Sequence, residues 1–287
     1  MNGSDFLERM RGKRMILVGD SMNRSMLQSL ACILRQSLGN WSRVHEVRRK
    51  TEFKAVGYNS LFFEDYEFYL DFFQTPFLVE RVYNGSIEVN LRLDVVDEGT
   101  SAIRKSDIVI FNTGHWFTDQ KTYGGKNYYQ EGNYVHPQLD HMEAYTRALK
   151  TWAKWIDHTF SHGKTKVFFQ GSSPTHFRGG QWNSGGKCHM ETEPIFNETF
   201  LEEYPVQNRI FEQVRGGMQT PVVYLNITRL TDYRKDGHVS MYYLERRTPK
   251  EKVMAVKLQD CSHWCMPGVP DTWNELLYAS LVMDGQD

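Results

Sequence analysis

Long apolar runs are missing from this sequence. None approaches the roughly 18 residues that would suggest a membrane span. No signal peptide opens it either, because "MNGSDFLERMRGKR" is polar and charged. Charge of one sign is missing too. Lys and Arg number 34 against 35 Asp and Glu, a net charge of −1. That removes the usual reason to expect nucleic acid or an anionic membrane as partner. There is no internal repeat and no low-complexity linker. One large domain is the simplest organisation for 287 residues, with two small ones as the alternative. Cysteine is scarce: Cys32, Cys188, Cys261 and Cys265 can pair in three ways, and sequence alone does not choose. A Cys/His zinc site at "CSHWC" is conceivable, but the spacing matches none of the usual zinc patterns. Taken alone, these absences describe a soluble chain with no targeting segment.

What is present points elsewhere. Hydrophobic residues make up 40% of the chain, enough for a buried core. Aromatic residues make up 14%, either a rich core or a surface whose flat rings pack on sugar faces. Asn-x-Ser/Thr sequons occur at Asn2, Asn23, Asn40, Asn84, Asn197 and Asn226. Chance would give roughly two, and the excess hints at a secretory glycoprotein, since the acceptor motif matters only there. Asn23 lies too near Ser21 to be a comfortable glycan site.

The clearest strand candidates are "RMILVG", "SIEVNLRLDVV", "SDIVIFNTG", "TKVFFQG" and "PVVYLNITRL". Several are continuous β-branched and aromatic runs, as expected for strands buried on both faces. "EFYLDFFQTPFLVE" also reads as extended, with Pro76 breaking it or marking an edge. Helices are expected over 22–38, 140–160, 206–214 and 272–283. In the second, Met142, Tyr145, Leu149, Trp152 and Ile156 form a helical apolar stripe. Strands alternating with helices predict an α/β fold with a parallel sheet covered by helices. Ligands then bind at the carboxyl ends of the strands. "GDS", "NTGHW" and "GSSPTH" each follow a predicted strand, and glycine-rich loops at 124–132 and 179–186 read as binding loops or lids.

Ser21 stands where the first strand turns into a helix. One role is N-cap. The other is nucleophile, with the helix N-terminus offering free N–H groups to an oxyanion. A serine needs a base, and the base needs an orienter. Asp260 and His263 lie three residues apart in "DCSHWC", a spacing that in a turn lets the carboxylate reach the imidazole Nδ1–H and leaves Nε2 facing Ser21. Asn112, at a middle strand end, is either an oxyanion donor or a turn former. Together these match the order and topology of SGNH/GDSL hydrolases.

"GDSMNRS", "FNTGHW", "SSPTHFRGGQWNSGGKC" and "DCSHWCMPGVPDTWNELLYASL" together resemble the plant trichome-birefringence-like family with its PC-esterase-type domain, over essentially the whole chain. The resemblance implies a three-layer α/β/α SGNH-like fold with a mainly parallel sheet, as one catalytic domain over residues 1–287. It implies a Golgi polysaccharide O-acetyltransferase, with Ser21 as nucleophile, His263 as base and Asp260 as its orienter. The oxyanion would be held by the Ser21 N–H, Asn112 and Arg24, although Arg24 is equally suited to a substrate carboxylate. No cofactor or metal is implied; an acetyl donor is the co-substrate, and the partner is a cell-wall polysaccharide such as xylan, pectin or another hemicellulose. His115, Trp116, Arg178 and Trp182 are candidate substrate contacts, Arg178 for a uronate carboxylate. Tyr128 and Tyr129 are further stacking candidates, with core packing as the alternative. An esterase using the same triad, or a non-catalytic polysaccharide-binding protein, are the rival readings. Family members carry a membrane anchor, a linker and a cysteine-bearing segment ahead of GDS, so a shortened form of a longer protein is expected here. By the family pattern Cys188 pairs with Cys261, while Cys32 and Cys265 pair with cysteines of that preceding segment.

Overall fold

The computed structural model describes residues 1–47, 57–242 and 248–283. Thirteen strands and seven α-helices are defined among them. In chain order the strands are β1 (Arg14–Gly19), β2 (Val44–Glu46), β3 (Tyr58–Phe63), β4 (Phe68–Gln74), β5 (Val79–Asn84), β6 (Ile87–Val96), β7 (Ile108–Phe111), β8 (Tyr129–Glu131), β9 (Tyr134–Val135), β10 (Lys166–Gln170), β11 (Val222–Leu225), β12 (His238–Ser240) and β13 (Asp260–Trp264). The helices are α1 (Gly3–Arg9), α2 (Ser21–Gln36), α3 (His141–Thr159), α4 (Val206–Arg215), α5 (Thr228–Asp232), α6 (Pro249–Lys257) and α7 (Val269–Met283).

The central sheet has seven strands in the order β11-β10-β7-β1-β4-β3-β2. Its first five members run parallel, and β3 and β2 add an antiparallel edge. Strand β1, "RMILVG", is buried from Met15 onward because alternate residues feed two different cores. Ile16 and Val18 face a cluster with Val109, Phe111, Val167 and Phe169, covered by the Tyr145, Leu149, Trp152 and Ile156 stripe of α3. Met15 and Leu17 face the other way, onto Met26, Leu30 and Leu34 of α2 and Trp273 and Leu277 of α7. Two apolar layers with helices outside them make the fold a three-layer α/β/α sandwich, as the sequence predicts.

One strand sits elsewhere than expected. "SIEVNLRLDVV" forms β6, which pairs with β5 and β8 in a separate four-stranded sheet. Only its alternate residues Leu91 and Leu93 are buried, whereas Ile87 is 67% exposed. A strand covered on one face alternates, and one covered on both does not. No helix among the described residues is long and apolar enough to cross a membrane.

The chain leaves β1 to build β4 on one side and β7 on the other. The carboxyl end of β1 is therefore the topological switch point, where such sheets open a crevice. Ser21 is the second residue beyond that end.

Candidate active site

At the end of β1 the chain turns sharply into α2. Gly19 has φ +149°, and a Cβ there would lie 2.0 Å from Asn112 Oδ1, so only glycine fits. The helix cap is Asp20, not Ser21: the Asp20 side chain accepts from the Met22 N–H at 2.9 Å. That corrects the capping role considered for Ser21 and leaves its hydroxyl free. Among the described residues the Ser21 N–H meets no acceptor, which suits an oxyanion donor.

Strand β13 brings the partners. Asp260 Oδ1 accepts from the N–H groups of Ser262 (3.0 Å) and His263 (2.9 Å), folding the carboxylate back over its own strand. Its Oδ2 lies 2.7 Å from His263 Nδ1. Burial works against the Asp260 charge, but hydrogen bonds and the field of His263 outweigh it and hold the carboxyl below the usual range. An ionised carboxylate only accepts, so Nδ1 carries the proton and Nε2 presents its lone pair. Ser21 Oγ–H donates to that Nε2 at 2.7 Å, across 242 positions of sequence. Ser21, His263 and Asp260 thus lie in series at hydrogen-bond distance, an arrangement able to perform acyl transfer.

Beneath Ser21 lies a second carboxylate–imidazole pair that the sequence reading did not anticipate. Asp20 Oδ2 is 2.9 Å from His115 Nδ1, and the Asp20 backbone N–H donates to Asn112 Oδ1 at 3.0 Å while Asn112 Nδ2 donates to Asp20 Oδ1 at 2.7 Å. Burial opposes the Asp20 charge, yet His115 and Asn112 draw its carboxyl below the ordinary value. Burial likewise opposes a charged His115, and Asp20 outweighs it and raises the imidazole. His115 Nε2 lies 3.1 Å from the Ser173 N–H and 3.2 Å from the Ser173 carbonyl, so the Ser173 backbone meets it in either protonation state. Asn112 therefore spends its carbonyl and one N–H on the turn, leaving at most its second N–H for an oxyanion. His115 has both ring nitrogens engaged and braces the turn instead of facing a substrate. Asn23 is fully buried and donates to Val18 and Ile110 carbonyls at 2.9 Å, so it ties β1 to β7 and is no glycan acceptor. The other sequon asparagines are exposed.

A histidine chain supports β13 from behind. His238 Nδ1–H donates to the His263 carbonyl at 2.9 Å, leaving Nε2 to accept from His176 Nδ1 at 2.7 Å. His176 Nε2 lies 3.1 Å from Asp232 Oδ1 and 3.0 Å from the Asp232 carbonyl, which ties the chain to α5. Trp264 stacks on His238 at 3.9 Å and donates from Nε1 to Ser173 Oγ at 2.8 Å. No local motif in the sequence signals these contacts; the "PTH" segment after β10 is the nearest cue.

The remaining candidates divide. Arg24 lies one helical turn from Ser21, half-buried and without an ion-pair partner among the described residues; burial pushes its guanidinium down against the pull of Asp20. Arg178 pairs with Glu191 at 2.6 Å, a carboxylate it shares with Lys235 at 2.5 Å, and its side chain stays 68% exposed. Tyr128 and Tyr129 are buried in the core and cannot stack on a sugar; the Tyr128 hydroxyl donates to Glu88. Trp116 is partly buried against Phe77, and Trp182 is 52% exposed. Cys188 and Cys261 form the expected disulfide, while Cys32 and Cys265 are free and exposed. With Cys261 in a disulfide, "CSHWC" cannot supply two thiolates to a zinc ion.

A model of the PC-Esterase family, described as a GDSL/SGNH-like acyl-esterase family found in Pmr5 and Cas1p, matches residues 1–280. The chain belongs to this family. Among its PC-esterase relatives, the protein trichome birefringence-like 1 of Arabidopsis thaliana is 49% identical over 287 residues, covering 99% of this chain and 52% of the relative. The Arabidopsis protein trichome birefringence is 48% identical, over 99% and 47%. Trichome birefringence-like 4 is 48% identical, over 98% and 63%. The chain thus spans about half the length of the PC-esterase relatives at the head of this comparison.

Proposed function

We propose that this chain is the catalytic domain of a polysaccharide O-acetyltransferase acting by double displacement at Ser21. The Ser21–His263–Asp260 series, with both links at 2.7 Å, carries the reading. His263 Nε2 takes the Ser21 hydroxyl proton as Oγ attacks the carbonyl carbon of an acetyl donor. The oxyanion meets the Ser21 N–H at the head of α2, with Arg24 supplying positive charge one turn away. Collapse breaks the bond to the donor's leaving group, which departs with the proton held by His263, and leaves acetyl-Ser21. A sugar hydroxyl then gives its proton to His263 Nε2 and attacks the acetyl carbon. The second collapse releases the acetylated sugar and returns the proton to Ser21 Oγ.

The acceptor we propose is a plant cell-wall polysaccharide, and the location a secretory lumen such as the Golgi. The Cys188–Cys261 disulfide and the exposed sequons support that location. The family's description as acyl-esterases favours a second reading, in which water replaces the sugar hydroxyl. One experiment tests both. The protein is incubated with an acetyl donor, and the Ser21 peptide is examined by mass spectrometry before and after acceptor oligosaccharides are added. An acetyl adduct discharged onto sugar supports transfer, and discharge to free acetate at the same rate with or without sugar supports hydrolysis. Absence of an adduct from the wild type, or its presence in Ser21→Ala, rules out this mechanism.

A further inference from the structure

We infer that Lys121, whose ammonium lies over the indole rings of both Trp116 and Trp182, is a subsite for the carboxylate of a uronate ring in the acceptor chain. This deepens the reading of a polysaccharide acceptor at Ser21 and rests on it.

The Lys121 Nζ lies 4.6 Å from the ring centroid of Trp116 and 5.9 Å from that of Trp182. Its backbone is anchored, since the Lys121 N–H donates to the Thr118 carbonyl at 3.1 Å and the buried Thr122 hydroxyl donates to the same carbonyl at 2.8 Å. Among the described residues no carboxylate pairs with the ammonium. Asp119, the nearest acid in sequence, turns instead to His141 at 3.2 Å. Two indoles therefore flank a cation that has no counter-charge among the described residues. Aromatic faces attract a cation through the ring quadrupole, and Lys121 stays exposed, so its ammonium is open to an arriving anion.

Both walls of this clamp connect to the triad within a few residues. Trp116 follows His115, whose Nδ1 is 2.9 Å from Asp20, the residue before Ser21. Trp182 lies on a ribbon closed by the Arg178–Lys187 bridge. That ribbon runs into Cys188, which is bonded to Cys261 between Asp260 and His263. The loop holding Trp182 is stiffened by the Gln181 N–H donating to Ser184 Oγ at 2.7 Å and the Gly186 N–H donating to the Gln181 carbonyl at 2.9 Å.

The clamp's chemistry selects its ligand. An exposed indole packs on the C–H face of a pyranose ring, and an ammonium beside it takes a negative substituent on that ring. A neutral sugar would use the indoles alone. A free phosphate would use the ammonium and leave the half-exposed Trp182 face bare. A carboxylate-bearing sugar uses both.

The test is a binding measurement made without an acetyl donor, so it stands apart from the reaction. Isothermal titration compares an oligogalacturonide with the same oligosaccharide methyl-esterified. Wild-type protein is expected to prefer the free acid by about twofold to fivefold, the range of an exposed ion pair. Lys121→Gln should bring that ratio to one, and Lys121→Arg should restore most of it. Trp182→Ala should weaken acid and ester alike. Equal wild-type affinity for acid and ester overturns the subsite, as does a preference that survives Lys121→Gln. If the preference follows Lys121 while Ser21 never acquires an acetyl group, the subsite holds and the transfer mechanism falls.

Discussion

Asp260 decides which nitrogen of His263 carries the proton. Its Oδ2 accepts from Nδ1–H at 2.7 Å, and its other oxygen is occupied by two backbone N–H groups. Asp260→Asn presents an amide of the same shape that can donate to Nδ1 and so stabilise the wrong tautomer. Ser21 acetylation should slow by about 10³–10⁴-fold with little change in melting temperature. A rate within tenfold of wild type would remove Asp260 from the mechanism. His238 governs a different property. Burial pushes its imidazole down to about 4, with the field of His176 adding to burial and the bond to the His263 carbonyl opposing it. In the unfolded chain a histidine titrates near 6.5. Above that pH both states are neutral and His238 contributes nothing to pH dependence. Between pH 6.5 and about 4 the unfolded chain binds a proton that native His238 refuses, so stability falls as pH falls, by up to about 3 kcal/mol. His115, raised by Asp20, acts in the opposite sense: its stabilisation is present below the unfolded value and lost as pH rises through the native one. Urea titrations between pH 7 and pH 4 should therefore show a shallower acid loss in His238→Gln than in wild type. An unchanged slope would show that another group titrates. The Ser21–His263–Asp260 series was legible only by combination, because a strand–turn–helix at one end and Asp-x-x-His at the other are each local but common patterns. His115 reaches Ser173 across 58 positions and His176 reaches His238 across 62, so neither brace leaves a spacing signature.

Among elements, β13 carries Asp260 and His263 from outside the central sheet. Among the described residues its one strand partner is β12, through a register broken between His238 and Ser240. Two staples compensate. The Cys188–Cys261 disulfide closes 73 positions, and the His176 N–H donates to the Cys261 carbonyl at 3.1 Å. Loop-closure entropy gives such a bond about 2–4 kcal/mol. Cys188→Ala with Cys261→Ala should lower thermal stability by that order. It should lower the acetylation rate further than the population of folded protein explains, because the strand carrying His263 is released. If activity tracks the folded fraction alone, the disulfide has no positioning role. The helices 140–160 and 206–214 came out within a residue of expectation, as their apolar stripes are local and Asp140 caps the first. The misplacement of β6 has an equally local cause. "IEVNLRLDV" alternates apolar and polar residues, the signature of one-sided burial, whereas β7 and β10 read as continuous apolar runs. Helices α1, α5 and α6 escaped notice because they have only 7, 5 and 9 residues, too short for a stripe to develop.

Across the whole molecule, the site exists only where the two ends of the chain meet. Ser21 opens α2, His263 lies just before α7, and these two helices pack side by side over the same face of the sheet. Their contact therefore sets how far Oγ stands from Nε2. Its polar centre is Asn274, fully buried, whose Nδ2 lies within hydrogen-bond reach of the Met26 carbonyl (3.0 Å) and Ser29 Oγ (2.9 Å) on α2. Ser29 Oγ–H in turn donates to Asp271 on α7 at 2.5 Å. Apolar packing alone leaves two helices free to slide along each other, and directional bonds at the centre fix their register. Asn274→Ala keeps the surrounding Trp273 and Leu277 contacts but removes the donors, which should cost about 1–2 kcal/mol of stability. A slide of even one ångström would lengthen the Ser21–His263 bond beyond useful reach, so acetylation of Ser21 should drop by about a hundredfold. Denaturant unfolding and single-turnover acetylation, measured on the same preparation, separate the two effects. A stability loss with an undiminished acetylation rate would show that β13 and its disulfide hold the distance without the helices.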